Sequence, residues 1–257
     1  TFSGVISGAG GMTFAGSGTT TLSGTNTYTG GTTLEGGTTS IGAADNLGTG
    51  GITFNGGTLE TTSGLTDAAA ITTDSAGTVN NDGNADTFSG VISGAGGMTF
   101  AGSGTTTLSG TNTYTGGTTV AAGALDVASG GALGTGALTV DSGATMNLDN
   151  ATQTITDLNG GGTLNLNGDT LTTTGSGTDT FSGVIGEASG STGALVVDGS
   201  GSLTLSGDNT YTGGTTVAAG SLDVASGGAL GDGALTVDSG ATMNLDNATQ
   251  TITDLNG

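Results

Sequence analysis

The residues able to do chemistry in this chain are its carboxylates and its tyrosines. It has 21 Asp and Glu, three Tyr, and no Lys, Arg, His or Cys. A Ser-His-Asp or Cys-His nucleophile has no base or thiol to build on. A phosphate-cradling loop has no lysine to reach its phosphates, and Cys-ligated metals and disulfides are excluded. Paired carboxylates remain, as acid and base acting on an acidic polysaccharide. The pairs that adjacent rungs of short strands could bring near each other are Asp141 with Asp149 and Asp238 with Asp246. Against this stands ordinary corner chemistry: "DSG" and "LDN" are turn-forming triplets, and both recur where an active site is needed once. The chain is therefore read as a non-enzyme, with no catalytic, cofactor-binding or metal-ligating residue assigned.

Carboxylates and turn carbonyls are also hard oxygen ligands for calcium. The acidic residues are scattered singly, and the tandem nonapeptide GGxGxDxUx is absent. Solvated charge is the simpler reading, and calcium enters as a bridging cation between surface aspartates. A formal net charge of -21 with no cationic side chain excludes nucleic acid and anionic membrane surfaces as partners, since both are recognised through Lys and Arg. No apolar run is long enough to span a bilayer, so membrane insertion by this segment is not expected. Threonine-rich "TTTLSG" and "TYTGG" raise ice binding through hydroxyl ladders. No Thr-x-Thr step recurs at one fixed interval, however, and a strand-forming surface is the preferred reading.

The tyrosines point to architecture. Tyr28, Tyr114 and Tyr211 all fall in one phrase, "SGTNTYTGGTT" at 23–33 and 109–119 and "SGDNTYTGGTT" at 206–216. An aromatic platform for sugars is one reading. The favoured one is that each ring covers a thin core at a glycine corner, because aromatic rings supply large packing area and a residue repeated with its unit packs units together. The phrase sits in longer copies. Residues 1–33 reappear identically at 87–119, a longer variant begins at Thr180, and 120–160 returns at 217–257 with Ala124 replaced by Ser221 and Thr135 by Asp232. The text stops in mid-unit at Gly257, so a longer array is expected.

Finer periodicity gives the elements. In "GALDVASG" Leu125 and Val127 share a face while Asp126 points away; Leu138 and Val140, Met146 and Leu148, and Leu164 and Leu166 repeat the pattern. These are period-two strands, with turn signals at Asn55-Gly56, Asn159-Gly160 and Asn167-Gly168, and no helical period anywhere. A sandwich or barrel would also use short strands, but near-identical long units suit a coil whose rungs stack. The 57 glycines then supply corners, threonine the strand surface, and the absence of proline leaves every rung's N–H free to pair. The expectation is an all-β parallel β-helix (β-solenoid) over 1–257, a single domain with units near 1–86, 87–179 and 180–257. It would hold about ten rungs stacked ~4.8 Å apart, with the eight paired residues above pointing inward.

The stretch "SGVISGAGGMTFAGSGTTTLSGTNTYTGGTTVAAGALDVASGGALG" closely resembles the autotransporter-associated β-strand repeat, and the framework "LSG-NTYTGGTTV-G-L" at 108–125 and 205–222 carries the likeness most specifically. The resemblance implies a right-handed parallel β-helix, exported by a type V route to the bacterial surface or the extracellular space. With no catalytic site assigned, the chain is expected to be a structural rod, stalk or fibre segment of a secreted bacterial surface or matrix protein. The partner expected is self, head-to-tail or between neighbouring fibres, with divalent cations screening lateral contacts. The alternatives are an adhesin module, for which the least repeated stretch, 34–86, is the place to look, and a β-helix polysaccharide-degrading enzyme.

Overall fold

The computed structural model describes residues 1–149, 152–246 and 248–257. Among them the regular elements are short parallel strands and one 3-10 turn, Ala44–Leu47. Each strand pairs with the strand about one turn of coil away, which makes the fold a parallel β-solenoid. The chain divides into two compact units, one of 1–126 with 130–134, the other of 127–129 with 135–257.

In the first unit the longest sheet runs Thr19–Leu22, Thr38–Ile41, Thr58–Thr61, Gly77–Asn80, Met98–Ala101 and Thr118–Val120. A second sheet stacks Met12–Phe14, Thr32–Leu34, Ile52–Phe54, Ile71–Thr73 and Ile92–Gly94, and a third holds Thr66–Asp67, Ala85–Phe88 and Thr105–Leu108. Alternation sends one set of residues inward. In the second sheet Met12, Thr32, Ile52, Ile71 and Ile92 form one inner column, and Phe14, Leu34, Phe54, Thr73 and Gly94 another. The outward column between them is Thr13, Thr33, Thr53, Thr72 and Ser93.

A longer outward column crosses the first sheet through Thr19, Thr38, Thr58, Thr78, Thr99 and Thr119. Register aligns hydroxyls that the linear text spaces unevenly, at the inter-strand distance of about 4.8 Å. Identical text does not occupy identical sides, however. The first "MTF", Met12–Phe14, lies in the second sheet, and its copy, Met98–Ala101, lies in the longest one. Each copy is turned by one side of the coil, so Tyr28 and Tyr114 do not form a ladder.

The second unit repeats the three-sided plan. Its longest sheet takes Leu138–Val140, Leu158–Gly160, Thr178–Phe181, Ser202–Leu205, Ser221–Val224 and Thr242–Leu245. A second sheet runs from Gln153–Ile155 through Thr170–Thr173, Ala194–Val197, Thr215–Val217 and Leu235–Val237 to Leu255–Asn256, and a third holds Thr145–Leu148, Thr163–Asn165 and Val184–Gly186. All eight residues expected inside are buried: Leu125, Val127, Leu138, Val140, Met146, Leu148, Leu164 and Leu166. Each such side chain contributes about 1.5–3 kcal/mol when fully buried, so the thin core stabilises by being continuous rather than deep.

The turn signals divide. Asn167 and Gly168 both take positive φ, 49 and 99, as a tight turn requires. Asn159 and Gly160 instead close the strand Leu158–Gly160, because Leu158 and Asn159 stay in register with Leu138 and Thr139. Gly160 is needed there both by its φ of 115 and by contact, since a side chain would run into the Val140 backbone.

Candidate functional site

The recurring phrase builds one cluster three times. Its first member is an asparagine. Asn26, Asn112 and Asn209 are buried, and each accepts at Oδ1 from the backbone N–H of an isoleucine on the preceding turn: Ile6 at 2.8 Å, Ile92 at 2.7 Å and Ile185 at 2.7 Å. The same side chains donate from Nδ2 to backbone carbonyls on the following turn, Asn46 at 2.6 Å, Ala132 at 2.7 Å and Ala229 at 2.6 Å. Each amide thus joins three turns at a corner where the strand ladder is interrupted. It gives the isoleucine N–H a partner inside the coil and adds a bond to a carbonyl of the following turn.

The tyrosine lies two residues on. Tyr28, Tyr114 and Tyr211 are 1%, 0% and 0% exposed. Their hydroxyls meet the Oγ1 of Thr32, Thr118 and Thr215 at 2.5, 2.6 and 2.6 Å. Thr32 in turn donates to the Leu47 carbonyl at 2.9 Å, so Tyr28 must be the donor in its pair and the chain of bonds ends on backbone. On the next turn a glycine lies against each ring. A side-chain carbon added at Gly48 would sit 2.8 Å from the Tyr28 ring, and one at Gly134 or Gly231 would overlap the tyrosine's own carbonyl and ring edge. Ring and glycine fit as a pair, which is why the phrase NTYT and the later Gly are copied together.

Electrostatics follow burial. Desolvation raises all three phenols, against the lowering effect of the threonine hydrogen bonds, and pushes Tyr211 up to about 12. The rings are closed to ligand, and the packing reading of the tyrosines is the one the structure shows.

The four carboxylates paired from the sequence flank strands. Asp141 and Asp238 are exposed, and each accepts with its backbone carbonyl a turn-closing bond, from Ala144 at 2.9 Å and from Ala241 at 3.0 Å. Asp149 follows the strand Thr145–Leu148 and accepts from Asn167 of the next turn at 2.9 Å. Asp141 and Asp149 therefore stand at opposite ends of a four-residue strand, roughly 13 Å of extended chain. The copy Asp238 and Asp246 brackets Thr242–Leu245 in the same way. Among the described residues, no group of three or more carboxylates gathers where it could hold a metal. None of their helices is long and apolar enough to cross a membrane.

Two other acids are perturbed in opposite directions. Burial raises the Asp179 carboxyl, as does the negative charge of Asp157, against an opposing hydrogen bond from Asn159 at 3.1 Å. At Asp223 burial works against the charge, but hydrogen bonds from Ser202, Asn244 and Ser221 outweigh it and hold the carboxyl below its ordinary value. The residues that sequence reasoning passed over are the three asparagines, although they recur as faithfully as the tyrosines beside them.

Comparison with known proteins follows the same segments. A family model described as passenger-associated-transport-repeat matches residues 12–41, 98–127 and 195–224. The adhesin BmaC autotransporter of Brucella suis biovar 1 (strain 1330) is 43% identical over 81 residues, covering 30% of this chain and 2% of that protein. The chain thus spans about 2% of the length of that curated relative. No solved structure matches. The family match bears out the resemblance carried by the "NTYTGGTT" framework, and each of the three segments that match the passenger-associated-transport-repeat holds one complete Asn–Tyr–Thr cluster.

Proposed function

We propose that this chain is a structural segment, a rod or stalk, of a secreted passenger displayed at a bacterial surface. The observation that carries the reading is that each copy of the phrase turns its larger bonding side chains inside and leaves short residues such as Thr27 and Thr29 at the surface. The Asn, Tyr and Thr of each cluster are buried, and each cluster is spent on joining turns. The family match supports the passenger part of the reading, and the matched relative is named an adhesin.

An adhesive role is the second reading, favoured by that relative's name and by the stretch 34–86, which differs most from the repeats. Purified chain immobilised on beads separates the two, with glycan arrays and extracellular-matrix proteins as probes. The structural reading predicts no saturable binding. Saturable binding removed by substitutions within 34–86, with far-UV circular dichroism unchanged, would overturn it in favour of an adhesin.

A further inference from the structure

The stretch 34–86 ends in a buried carboxylate that none of the packing above requires. Asp86 lies in Ala85–Phe88, where alternation places it on the same inward face as Phe88, and both are 1% exposed. Its register partner is Thr106, itself fully buried. Asp86 Oδ2 lies 2.5 Å from Thr61 Oγ1, and Oδ1 accepts from the Leu65 N–H at 3.1 Å. Around this pair Asn81 donates to Thr106 at 3.3 Å, and Asn84 donates to the Thr61 carbonyl at 2.9 Å. A small polar network therefore sits inside the first unit.

No cation balances it. The chain has no Lys, Arg or His. The other titratable groups on the neighbouring strands and turn are acids: Asp67, mostly buried on Thr66–Asp67, Glu60 on the outward side of Thr58–Thr61, and Asp82 on the exposed turn. The strand Thr105–Leu108 carries none. An ionised carboxylate offers about four acceptor positions, and here it receives two donors, whereas a protonated one can donate to Thr61 while still accepting from Leu65.

We propose that Asp86 is a proton-binding switch in the core of the first unit, tightening the turns between Thr58 and Leu108 when it is protonated and loosening them when it is ionised. The proton comes from solvent and resides on Oδ2, shared with Thr61. Burial holds this carboxyl above its ordinary value, against the lowering effect of the Thr61 and Leu65 hydrogen bonds. A raised native value makes the stabilisation complete below the unfolded carboxyl's ~3.9 and loses it as pH rises through the native value. The first unit is thus firmest in acid, the opposite of the contribution Asp223 makes in the second.

Hydrogen exchange of the full chain in a pH series from below the ordinary carboxyl value up to pH 7, corrected for intrinsic rates, tests this with peptides covering 58–66 and 84–89 and with 138–148 as internal reference. Wild type should gain several-fold protection in the first two peptides at the acid end, beyond any change in the reference. Asp86→Asn keeps the acceptor for Leu65 and supplies a permanent donor to Thr61. It should show the high protection already at pH 7 and lose the pH difference. An Asp86→Asn chain that is less protected at pH 7, fails to fold, or keeps the wild-type pH response would overturn the proposal.

Discussion

Tyr114→Ala is expected to destabilise the first unit by about 3–5 kcal/mol, the range for removing a buried aromatic ring. The ring is fully buried, sits against a glycine whose lack of side chain makes its space, and hydrogen-bonds Thr118 at 2.6 Å. Its removal leaves a cavity that Gly134 cannot fill. Tyr114→Phe keeps the ring and drops only the hydroxyl, so it should cost about 1–2 kcal/mol, mostly from leaving Thr118 short of a partner. The difference, about 2–3 kcal/mol, is the ring's packing, which therefore outweighs the polar contact. Urea titration followed by far-UV circular dichroism reads both, and near-equal losses for Ala and Phe would show that the hydrogen bond dominates.

Asn112→Asp should be comparably severe although it changes one atom. Oδ1 can still accept from Ile92, but the donor to the Ala132 carbonyl becomes an oxygen 2.7 Å from another oxygen, in a buried corner of a chain without cationic side chains. Leaving a buried charge uncompensated costs about 3–5 kcal/mol. The introduced carboxyl is disfavoured as an anion, so its native value is raised. Stability should recover in acid, where a protonated oxygen can again donate to Ala132, and fall as pH rises. Asn112→Ala has no charge to neutralise and should show no such recovery in excess of wild type. Midpoints of urea unfolding at pH 4 and pH 7 distinguish the two variants, and an Asp variant insensitive to pH relative to Ala would refute the staple.

The inner columns were legible because period-two alternation needs no knowledge of partners: Leu125 with Val127 and Met146 with Leu148 declare a face by themselves. By the same parity Asp86 shares a face with Phe88, yet an acid is ordinarily assigned to solvent, and only the register with Thr106 and the contact with Thr61 show it inside. Long-range pairing hid the rest. The column from Thr19 to Thr119 has no fixed spacing in sequence because turns differ in length. The rotation of each copy by one side depends on how many sides a copy fills, which repeat identity does not reveal. The asparagine staples needed the backbone groups of two other turns, Ile92 and Ala132 for Asn112, before their role could be seen.

The central claim is that the Asn, Tyr and Thr clusters of the phrase shared by the three repeats build the core. Alkaline titration of the intact chain, followed by tyrosinate absorbance together with far-UV circular dichroism, tests it most directly, because the chain has three Tyr and no Trp. The three phenols are raised by burial, Tyr211 to about 12, so the stabilisation they confer is present below the unfolded value near 10 and is lost as pH rises through the native one. The account predicts that tyrosinate forms only together with loss of the β signal, well above pH 10. Reversible ionisation of the tyrosines near pH 10, with the β signal intact, would mean that the rings face solvent and would contradict it.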